Sequence, residues 1–564
     1  MSDPDWPNLP AMMFGCAAAW PEKPMLRAFQ GGAWRQMRWR EFAAATAALA
    51  RSLRAAGVGP GDRVLVASEN RPEYPITETA LMAIRAIPVP AYVTNTVADH
   101  AHLLRDSGAR AAIVSTRALA ARVSEAAPAA LDLLVVMDGA EGAARRWADL
   151  ASGTAPPDDI AAAAQAIPRS ALACLIYTSG TGGAPKGVML SHGSILSNCR
   201  GARTLLRPLN LRDEVYLSFL PAAHAYEHTV GQFLLPSLGV EIAYARGMEH
   251  LAADMQAVRP TIMTVVPRVL EVIRGRILAA AAREPGWRRA LFGRAMAIGL
   301  QRLDGARLSW LDQLLDPLLE RLVRAKVRGR FGGRFRAAMS GGARLEPEVG
   351  RFFLALGILL MQGYGQTEAG PVISANPPDA IRIETVGRPL DGVELRLAPD
   401  GEILVRGELV MQGYWNLPAA SEAVLRDGWL HTGDVGTIDA DGYLRITDRK
   451  KDMIVLSGGE NISPARIEGM LVAEPEIAQA VVAGEGQAGL SALIVPAEGM
   501  DAGAVAIAVA RVNGRLSVGE RIRGHAIVPP FTLENGLLTA TQKVRRALVL
   551  RAHKAMAEAG EDPR

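Results

Sequence analysis

Lysine, cysteine and long apolar runs are all scarce in this chain of 564 residues. The longest apolar runs, such as residues 352–361, are too short to span a bilayer and are typical of a buried core. The cysteines Cys16, Cys174 and Cys199 show neither metal-site spacing nor a disulfide framework. The first twenty residues carry acidic side chains and no signal-peptide core, so we expect a cytoplasmic protein.

Positive charge is carried almost entirely by arginine. The net charge of +4 is slight for this length and does not support nucleic-acid binding. A compact ammonium and a planar guanidinium are not equivalent, so the few lysines that remain in an arginine-rich chain are candidates for a functional role. The lysines are Lys23, Lys186, Lys326, Lys450, Lys451, Lys543 and Lys554.

The length predicts two or more domains. In the first third, short apolar runs alternate with amphipathic helical segments, of which residues 39–57 are the longest. The predicted strands are residues 62–68, 88–92, 111–115 and 131–137. This alternation predicts an α/β fold with helix-covered parallel sheets, followed by a polar connector over residues 151–170.

A glycine-rich loop, LIYTSGTGGAPKGVMLS at residues 175–191, lies between two strand-like runs. Glycines let backbone N–H groups converge on one point, and a lysine adds a charge suited to polyphosphate. The GxxxxGK[ST] pattern does not fit, because Pro185 and Gly187 flank the lysine. A flexible surface turn is the alternative, but the hydroxyls and the lysine favour phosphate binding. The candidate groups are Thr178, Ser179, Gly180, Thr181, Gly182 and Lys186.

Two more glycine-rich stretches follow apolar strands, MSGGARL at 339–345 and LMQGYGQTEAG at 360–370. Ligands collect at the carboxyl ends of strands in an open α/β sheet, so both stretches are candidate binding loops. A Thr-Glu pair after glycine, taken alone, would be only a helix cap. The candidates are Gly341, Gly342, Ala343, Gly363, Tyr364, Gly365, Thr367 and Glu368.

The chain becomes β-rich between residues 386 and 445, where short alternating strands are separated by Gly and Asp turns. This pattern predicts a small barrel-like subdomain, with Asp434 as an exposed carboxylate after a turn. Residues 448–452 are charged and lack apolar anchors, as a domain linker should. We therefore expect an N-terminal domain over 1–450 and a smaller α+β domain over 451–564, whose first helix is capped by Ser463.

In this order, these stretches resemble the signatures of the adenylate-forming superfamily, which includes acyl-CoA synthetases, luciferases and peptide-synthetase adenylation domains. The resemblance runs from about the helix at residue 39 to Lys543 in FTLENGLLTATQKVRR. It implies a large domain with a mobile C-terminal domain. It also implies activation of a medium-to-long-chain fatty acid with ATP, Mg²⁺ and coenzyme A.

The resemblance assigns roles at the ATP site. Lys186 and its loop would hold the β- and γ-phosphates, and Glu368 with Thr178 would hold Mg²⁺. The nucleotide would be bound by Tyr364 on the adenine, Thr367 on the α-phosphate, Asp434 on the ribose hydroxyls, and Arg449. Lys543 would lie between the fatty carboxylate and the α-phosphate as the catalytic lysine.

The resemblance also assigns roles around the second substrate. Lys451 would be the hinge about which the C-terminal domain swings. Ser457, Gly458 and Gly459 would then line the pantetheine tunnel of coenzyme A, and His224 and Val266 would be walls of the acyl pocket. His224 and His228 stand four residues apart, which is a metal-ligand spacing on a helix, but without a third ligand nearby we do not favour zinc.

Residues 287–336 are helical in pattern and strongly basic. Two interpretations compete: solvated helices that pack their leucines on the core, which we favour, or a surface that contacts an anionic membrane. The leucines are Leu308, Leu311, Leu314, Leu315 and Leu318. The cations are Arg288, Arg289, Arg294, Arg302, Arg307, Arg321, Arg324, Lys326, Arg328, Arg330, Arg334 and Arg336.

Two other functions compete with this one. A fatty acyl-AMP ligase would load a carrier protein instead of coenzyme A, but KKDMIVLSGGENISP has no inserted segment at the hinge, which favours coenzyme A. A non-catalytic nucleotide- or lipid-binding scaffold predicts loss of Lys543, Glu368 or Asp434, and all three are present. Gly183 stands where the family commonly has a second threonine, and Ala540 where long-chain members often have proline. The oligomeric state stays open, a homodimer included.

Overall fold

The structure is a computed structural model that describes residues 5–153, 155–178, 184–211, 213–458, 460–532, 534–538 and 544–559. Seven predicted positions lie outside this range: Ser179, Gly180, Thr181, Gly182 and Gly183 of the glycine-rich loop, and Gly459 and Lys543 of the C-terminal part. Ala540 lies outside it as well.

The strands of the described residues are numbered in chain order. The N-terminal region contains β1 (Pro24–Gln30), β2 (Ala33–Arg38), β3 (Arg63–Ala67), β4 (Ile87–Ala91), β5 (Ala111–Thr116), β6 (Leu133–Asp138), β7 (Arg145–Arg146), β8 (Leu172–Thr178), β9 (Lys186–Ser191), β10 (Val215–Ser218), β11 (Glu241–Tyr244), β12 (Ile262–Val265), β13 (Ala337–Ser340), β14 (Leu359–Gly365), β15 (Val372–Ala375) and β16 (Arg388–Pro389). It is followed by β17 (Glu394–Leu397), β18 (Glu402–Arg406), β19 (Gly413–Tyr414), β20 (Leu425–Arg426), β21 (Trp429–Ile438), β22 (Leu444–Arg449), β23 (Ile454–Val455), β24 (Asn461–Ile462), β25 (Ile477–Ala483), β26 (Leu490–Pro496) and β27 (Ile522–Ile527).

The α-helices of the same residues are α1 (Leu9–Ala19), α2 (Trp39–Ala55), α3 (Glu73–Ala83), α4 (Val97–Ser107), α5 (Arg117–Ala126), α6 (Trp147–Leu150), α7 (Asp158–Gln165), α8 (His192–Leu206), α9 (Ala225–Thr229), α10 (Leu235–Ser237), α11 (Leu251–Val258), α12 (Pro267–Ala282), α13 (Gly286–Leu303), α14 (Trp310–Leu319), α15 (Ala325–Gly329), α16 (Pro347–Ala355), α17 (Pro418–Val424), α18 (Pro464–Val472), α19 (Ala502–Asn513), α20 (Arg546–Ala552) and α21 (Lys554–Ala559). Within these residues, none of the helices has the length and apolar character that a bilayer crossing requires.

The largest sheet of the described chain has nine strands in the order β16-β15-β14-β13-β12-β10-β11-β1-β2. Its central pairs, from β14 through β11 to β1, are parallel. The carboxyl ends of β10, β12, β13 and β14 therefore meet at one edge. This edge is where ligands bind in open α/β sheets.

Smaller sheets complete the two predicted parts. The alternating segments of the first third form the all-parallel sheet β4-β3-β5-β6-β7, and β8 and β9 form an antiparallel sheet with β19. The β-rich subdomain is an antiparallel sheet, β17-β18-β21-β20, with β22 paired to β21. The C-terminal part has the hairpin β23-β24 and the sheet β25-β26-β27.

The predicted alternation of helices and strands is confirmed, with one omission. The helix predicted at 39–57 is α2, and the predicted strands correspond to β3, β4, β5 and β6. The connector at 151–170 contains the helix α7, which buries Ile160 and Ala164. Its single apolar turn was too short to give a helical period, so the sequence predicted only a linker.

The favoured interpretation of residues 287–336 is wrong for four of the five leucines. Leu308 packs against a small apolar cluster around Ile298, but Leu311, Leu314, Leu315 and Leu318 of α14 are exposed. The α14 side chains that face the protein include Asp312 and Asp316, both buried. Ion pairs hold these two carboxylates inward, so the leucines point outward.

Candidate functional site

A cavity of 1970 Å³ opens at the carboxyl edge of the nine-stranded sheet. The strand ends, the stem of the glycine-rich loop, the β-rich subdomain and the C-terminal part all contribute to its wall. Of the predicted residues, those that line it are Thr178, Lys186, His224, Gly341, Gly342, Gly363, Tyr364, Gly365, Thr367, Glu368, Asp434, Arg449 and Lys451. Parallel and antiparallel sheets thus bring together groups that are distant in the sequence.

The stem of the glycine-rich loop is a hairpin in which Thr178 at the end of β8 pairs with Lys186 at the start of β9. The Tyr177 hydroxyl donates to Asp106 at 2.6 Å and fixes the stem from outside. The ammonium of Lys186 lies 4.7 Å from the ring centroid of Tyr414. This cation–π contact orients the lysine while leaving its N–H groups available to an anion.

Glu368 follows β14 in a short helical turn and reaches the same place from the other side. The Tyr414 hydroxyl donates to Glu368 Oε1 at 2.8 Å, so one aromatic ring contacts both the carboxylate and Lys186. Tyr414 reaches this position because β19 pairs with β9, with Tyr414 opposite Val188. A carboxylate that lines a cavity suits Mg²⁺, which is typically held by one or two carboxylates together with substrate phosphates.

Asp434 is buried, with 3% of its surface exposed, and this corrects the prediction of an exposed carboxylate. The Tyr364 hydroxyl donates to its Oδ2 at 2.6 Å and the Arg449 Nε donates to its Oδ1 at 3.0 Å. Burial, and then the charge of Asp434, raise the Tyr364 pKa well above its ordinary value, so the hydroxyl stays a donor. Each carboxylate oxygen has a second lone pair, which can accept from a ligand in the cavity.

Two glycines of the wall are closely packed, and at one of them, Gly365, a side chain would force the backbone to shift. A Cβ at Gly341 would lie 3.2 Å from the ring of Tyr226, whose hydroxyl donates to the Met339 carbonyl at 3.0 Å. A Cβ at Gly365 would lie only 1.9 Å from the Pro371 carbonyl oxygen. Gly365 is therefore fixed by the packing of its own turn, independently of any ligand.

Two of the predicted wall residues lie elsewhere. Ala343 is exposed and Val266 is half-buried, and neither lines the cavity. Val266 follows β12 and lies beside Gly342, where its Cγ1 would be 3.9 Å from an added Cβ. Strand ends were predicted correctly, but the direction of a side chain one residue beyond a strand depends on local backbone geometry that motifs do not contain.

The turn after β10 places His224 at the cavity and buries Glu227 behind it. Glu227 accepts hydrogen bonds from the Ser218 hydroxyl at 2.6 Å and the Thr264 hydroxyl at 3.0 Å, and from Tyr216. Burial raises the Glu227 pKa to about 7, although these hydroxyls oppose the shift. The cluster ties three neighbouring elements together beneath the wall.

His228 faces away from His224. Its Nε2 lies 3.1 Å from Glu78 Oε2, and both side chains are fully buried. In the part of the chain that the structure describes, no three His, Cys, Asp or Glu side chains are arranged to hold a metal ion.

The segment at the predicted hinge is attached to the β-rich subdomain. The Lys450 ammonium donates to Asp400 and, at 3.3 Å, to Glu402 Oε2. Lys451 lines the cavity, whereas Ser457 and Gly458 are exposed and do not. Ser463 caps α18 by position, but its hydroxyl donates to the Thr447 carbonyl at 3.3 Å instead of to the helix.

Two sets of residues were missed from the sequence. Tyr414 and Tyr226 contact predicted site residues. They were missed because an aromatic residue in such a motif is usually part of the hydrophobic core. Four cations of the C-terminal part also line the cavity: Arg545, Arg546, Arg551 and Lys554. Their clustering in the last 20 residues was the signal that could have identified them.

The buried Glu227 gives a pH prediction. Because its pKa is raised above the unfolded value of about 4.5, folding keeps the carboxyl protonated and stability is lost as pH rises from about 4.5 to 7. The side chain of Glu227→Gln cannot ionise. We therefore expect the free energy of unfolding of the variant, relative to that of the wild type, to increase by up to about 3 kcal/mol as the pH is raised from 5 to 8. Denaturant titrations at both pH values measure this, and a constant difference would contradict it.

The comparisons with known proteins agree with this geometry. Residues 14–415 match the family model described as AMP-binding enzyme, and residues 451–559 match the AMP-binding enzyme C-terminal domain. The chain is 32% identical to the long-chain-fatty-acid–CoA ligase FadD15 of Mycobacterium tuberculosis, over 96% of this chain and 95% of that one. It is 34% identical to a feruloyl-CoA synthase of Amycolatopsis, over 82% of this chain and 84% of that one.

Among solved structures, the anthranilate CoA ligase AuaEII in complex with anthranoyl-AMP superposes with a TM-score of 0.75 at 21% identity, covering 98% of this chain and 99% of that one. At this identity the likeness shows the shared fold. The two family models together cover most of the chain, and the full-length relatives exceed 30% identity. The chain therefore belongs to the AMP-binding enzyme family of adenylate-forming ligases.

Proposed function

We propose that this enzyme activates a medium-to-long-chain fatty acid with ATP and transfers the acyl group to coenzyme A. In the first step a carboxylate oxygen attacks the α-phosphorus, which forms acyl-AMP and releases diphosphate. In the second the thiol sulfur of coenzyme A attacks the acyl carbonyl, releasing AMP and the thiol proton. One observation carries the proposal: Lys186, Glu368 and the Tyr364–Asp434–Arg449 chain line the same cavity.

The first step brings two anions together, so the site must neutralise charge and align the reacting atoms. Lys186 would contact the β- and γ-phosphates, since a cation–π contact with Tyr414 leaves part of the ammonium free to donate. Asp434 would accept from the ribose hydroxyls, and Tyr364 would pack on the adenine. No general base is needed, since the fatty acid is already ionised at neutral pH.

Magnesium would be held by Glu368 and Thr178, which line one cavity and supply oxygen ligands of the kind Mg²⁺ prefers. When bound, the ion neutralises phosphate charge. The part played by the protein is to orient the carboxylate, and here the Tyr414 hydroxyl does so.

The second step needs space for a thiol. We propose that the C-terminal domain swings about Lys451, which removes Lys543 and brings Ser457, Gly458 and Gly459 to the cavity. The exposure of Ser457 and Gly458 in this structure supports a rotation, because they do not reach the cavity without one.

The substrate class rests on the relatives. FadD15 is named for long-chain fatty acids and the feruloyl-CoA synthase for an aromatic acid, at similar identity. The longer match, over almost the whole of both chains, favours the fatty acid. The second candidate function is transfer of the acyl group to a carrier protein instead of coenzyme A.

We also propose that the basic segment 287–336 brings the enzyme to an anionic membrane. Six of its twelve cations are exposed and form no ion pair among the described residues. These are Arg289, Arg307, Arg321, Lys326, Arg330 and Arg334. Their charge complements anionic headgroups.

A panel of acids tests the activity directly. We expect diphosphate release with ATP and medium- to long-chain fatty acids, with little release for ferulic acid. Coenzyme A and a purified acyl carrier protein are supplied in parallel, and the thioester is identified by mass. Preference for ferulic acid would overturn the substrate class, and a carrier-protein product would overturn the acceptor.

Lys543→Ala separates the two steps. Loss of the charge between the carboxylate and the α-phosphate should slow acyl-AMP formation about 100- to 1,000-fold. Thioester formation from supplied acyl-AMP should change little. Lys23→Ala, at a half-buried position outside the cavity, is the matched control. Equal losses in both steps would mean that the role of Lys543 is different.

Tyr414→Phe tests the orientation of Glu368. Removing the hydroxyl leaves the carboxylate free to rotate, so the Mg²⁺ concentration for half-maximal rate should rise about 10-fold, with a smaller change at saturating Mg²⁺. Tyr443→Phe removes a hydroxyl that donates to the Ala380 carbonyl, and serves as the control. If both variants respond to Mg²⁺ alike, Tyr414 does not position the carboxylate.

A further inference from the structure

The helix α14 turns four of its five leucines toward solvent and its acidic side chains toward the protein, while Leu319 at its end is buried. Leu311, Leu314, Leu315 and Leu318 are exposed along successive turns, and Trp310 at the start of the helix is 70% exposed. We call these five residues the α14 face. Helices on globular proteins normally bury such a stripe, so a continuous exposed one marks a contact surface.

The orientation of α14 is fixed by ion pairs on its inner side. Asp312 pairs with Arg294, and Asp316 pairs with Arg302 at 2.6 Å and with Arg324 at 2.8 Å. Arg324 is 3% exposed and also donates to the Ala295 carbonyl at 2.9 Å. Rotating α14 to bury its leucines would separate Asp312 and Asp316 from Arg294 and Arg302 of α13, and losing the partners of buried carboxylates is strongly unfavourable.

The chemistry around the α14 face indicates its occupant. Trp310 is a side chain that favours the boundary between headgroups and hydrocarbon. Arg307 lies just before the helix and Arg321 just after it, both exposed and both without an ion pair among the described residues. Leucines flanked by tryptophan and arginine are typical of a helix that lies in a membrane interface.

We propose that the α14 face inserts into the interfacial layer of an anionic lipid bilayer and is the principal membrane anchor of the enzyme. The proposal deepens the membrane contact proposed above and rests on it. It assigns the binding free energy chiefly to the leucines and Trp310, with the cations adding attraction to anionic headgroups. High salt should therefore weaken binding without abolishing it.

The experiment is cosedimentation of the full-length protein with vesicles of phosphatidylcholine alone, or with about 30% phosphatidylglycerol, an anionic content comparable to that of natural anionic leaflets. The test variant is Leu314→Gln/Leu318→Gln. The matched control is Ile507→Gln/Val518→Gln, at side chains of the C-terminal part that are 61% and 74% exposed. Thermal unfolding and acyl-CoA formation from a water-soluble acid check that all proteins are folded.

We expect the test variant to lose at least about tenfold in partition onto anionic vesicles, because each inserted leucine contributes apolar burial. The control should bind like the wild type, and 0.5 M salt should reduce wild-type binding only partly. Wild-type binding by the test variant, with complete loss in high salt, would overturn insertion of the α14 face and leave the charge-based contact standing.

Absence of wild-type binding to either vesicle would overturn both membrane proposals without affecting the proposed chemistry. Sedimentation velocity tests the alternative that a second copy of the chain covers the α14 face. A wild-type dimer that Leu314→Gln/Leu318→Gln converts to a monomer, with no vesicle binding, would assign the α14 face to a second copy of the chain and overturn the proposal.

Discussion

The site depends on one buried carboxylate shared between two sheets. The Tyr364 hydroxyl, at the end of β14, donates to Asp434 at 2.6 Å, and Arg449 donates to the other oxygen of Asp434 at 3.0 Å. A buried carboxylate is tolerated only when it is paired and hydrogen-bonded. This pairing therefore joins the carboxyl edge of the nine-stranded sheet to the β-rich subdomain, and the cavity lies where they meet.

On the opposite wall, too, a single side chain contacts two charged groups. One ring, Tyr414, holds Lys186 by its face and Glu368 by its hydroxyl. The cation and the carboxylate are thereby kept in the same small volume without forming a salt bridge with each other among the described contacts. Both charges stay available to a ligand that carries phosphates and a metal ion.

Sequence patterns predicted the parts of the site that follow from periodicity and strand order. The glycine-rich ends of β13 and β14 converge because parallel strands share a direction, which the alternation of helices and strands already indicated. The role of Tyr414 could not be predicted from the sequence, because its approach to Glu368 depends on the pairing of β19 with β9 across more than 200 residues of chain. The burial of Asp434 likewise arises from the register of β21 and β22.

The helix α14 shows the same limit more sharply. The sequence predicted a helix here, but its pattern of apolar and charged residues does not determine which side of the helix faces the protein. Arg294 and Arg302 decide the matter by pairing with Asp312 and Asp316, and both arginines lie on α13. Electrostatic pairing between distant residues overrode the usual preference for burying leucine.

The most direct test of the central claim follows the oxygen atoms. A fatty acid labelled with ¹⁸O in both carboxylate oxygens is incubated with the enzyme, ATP and coenzyme A, and the AMP is analysed by mass spectrometry. Attack of the carboxylate on the α-phosphorus predicts one ¹⁸O in each AMP formed. AMP without label, or label found in inorganic phosphate, would contradict the account.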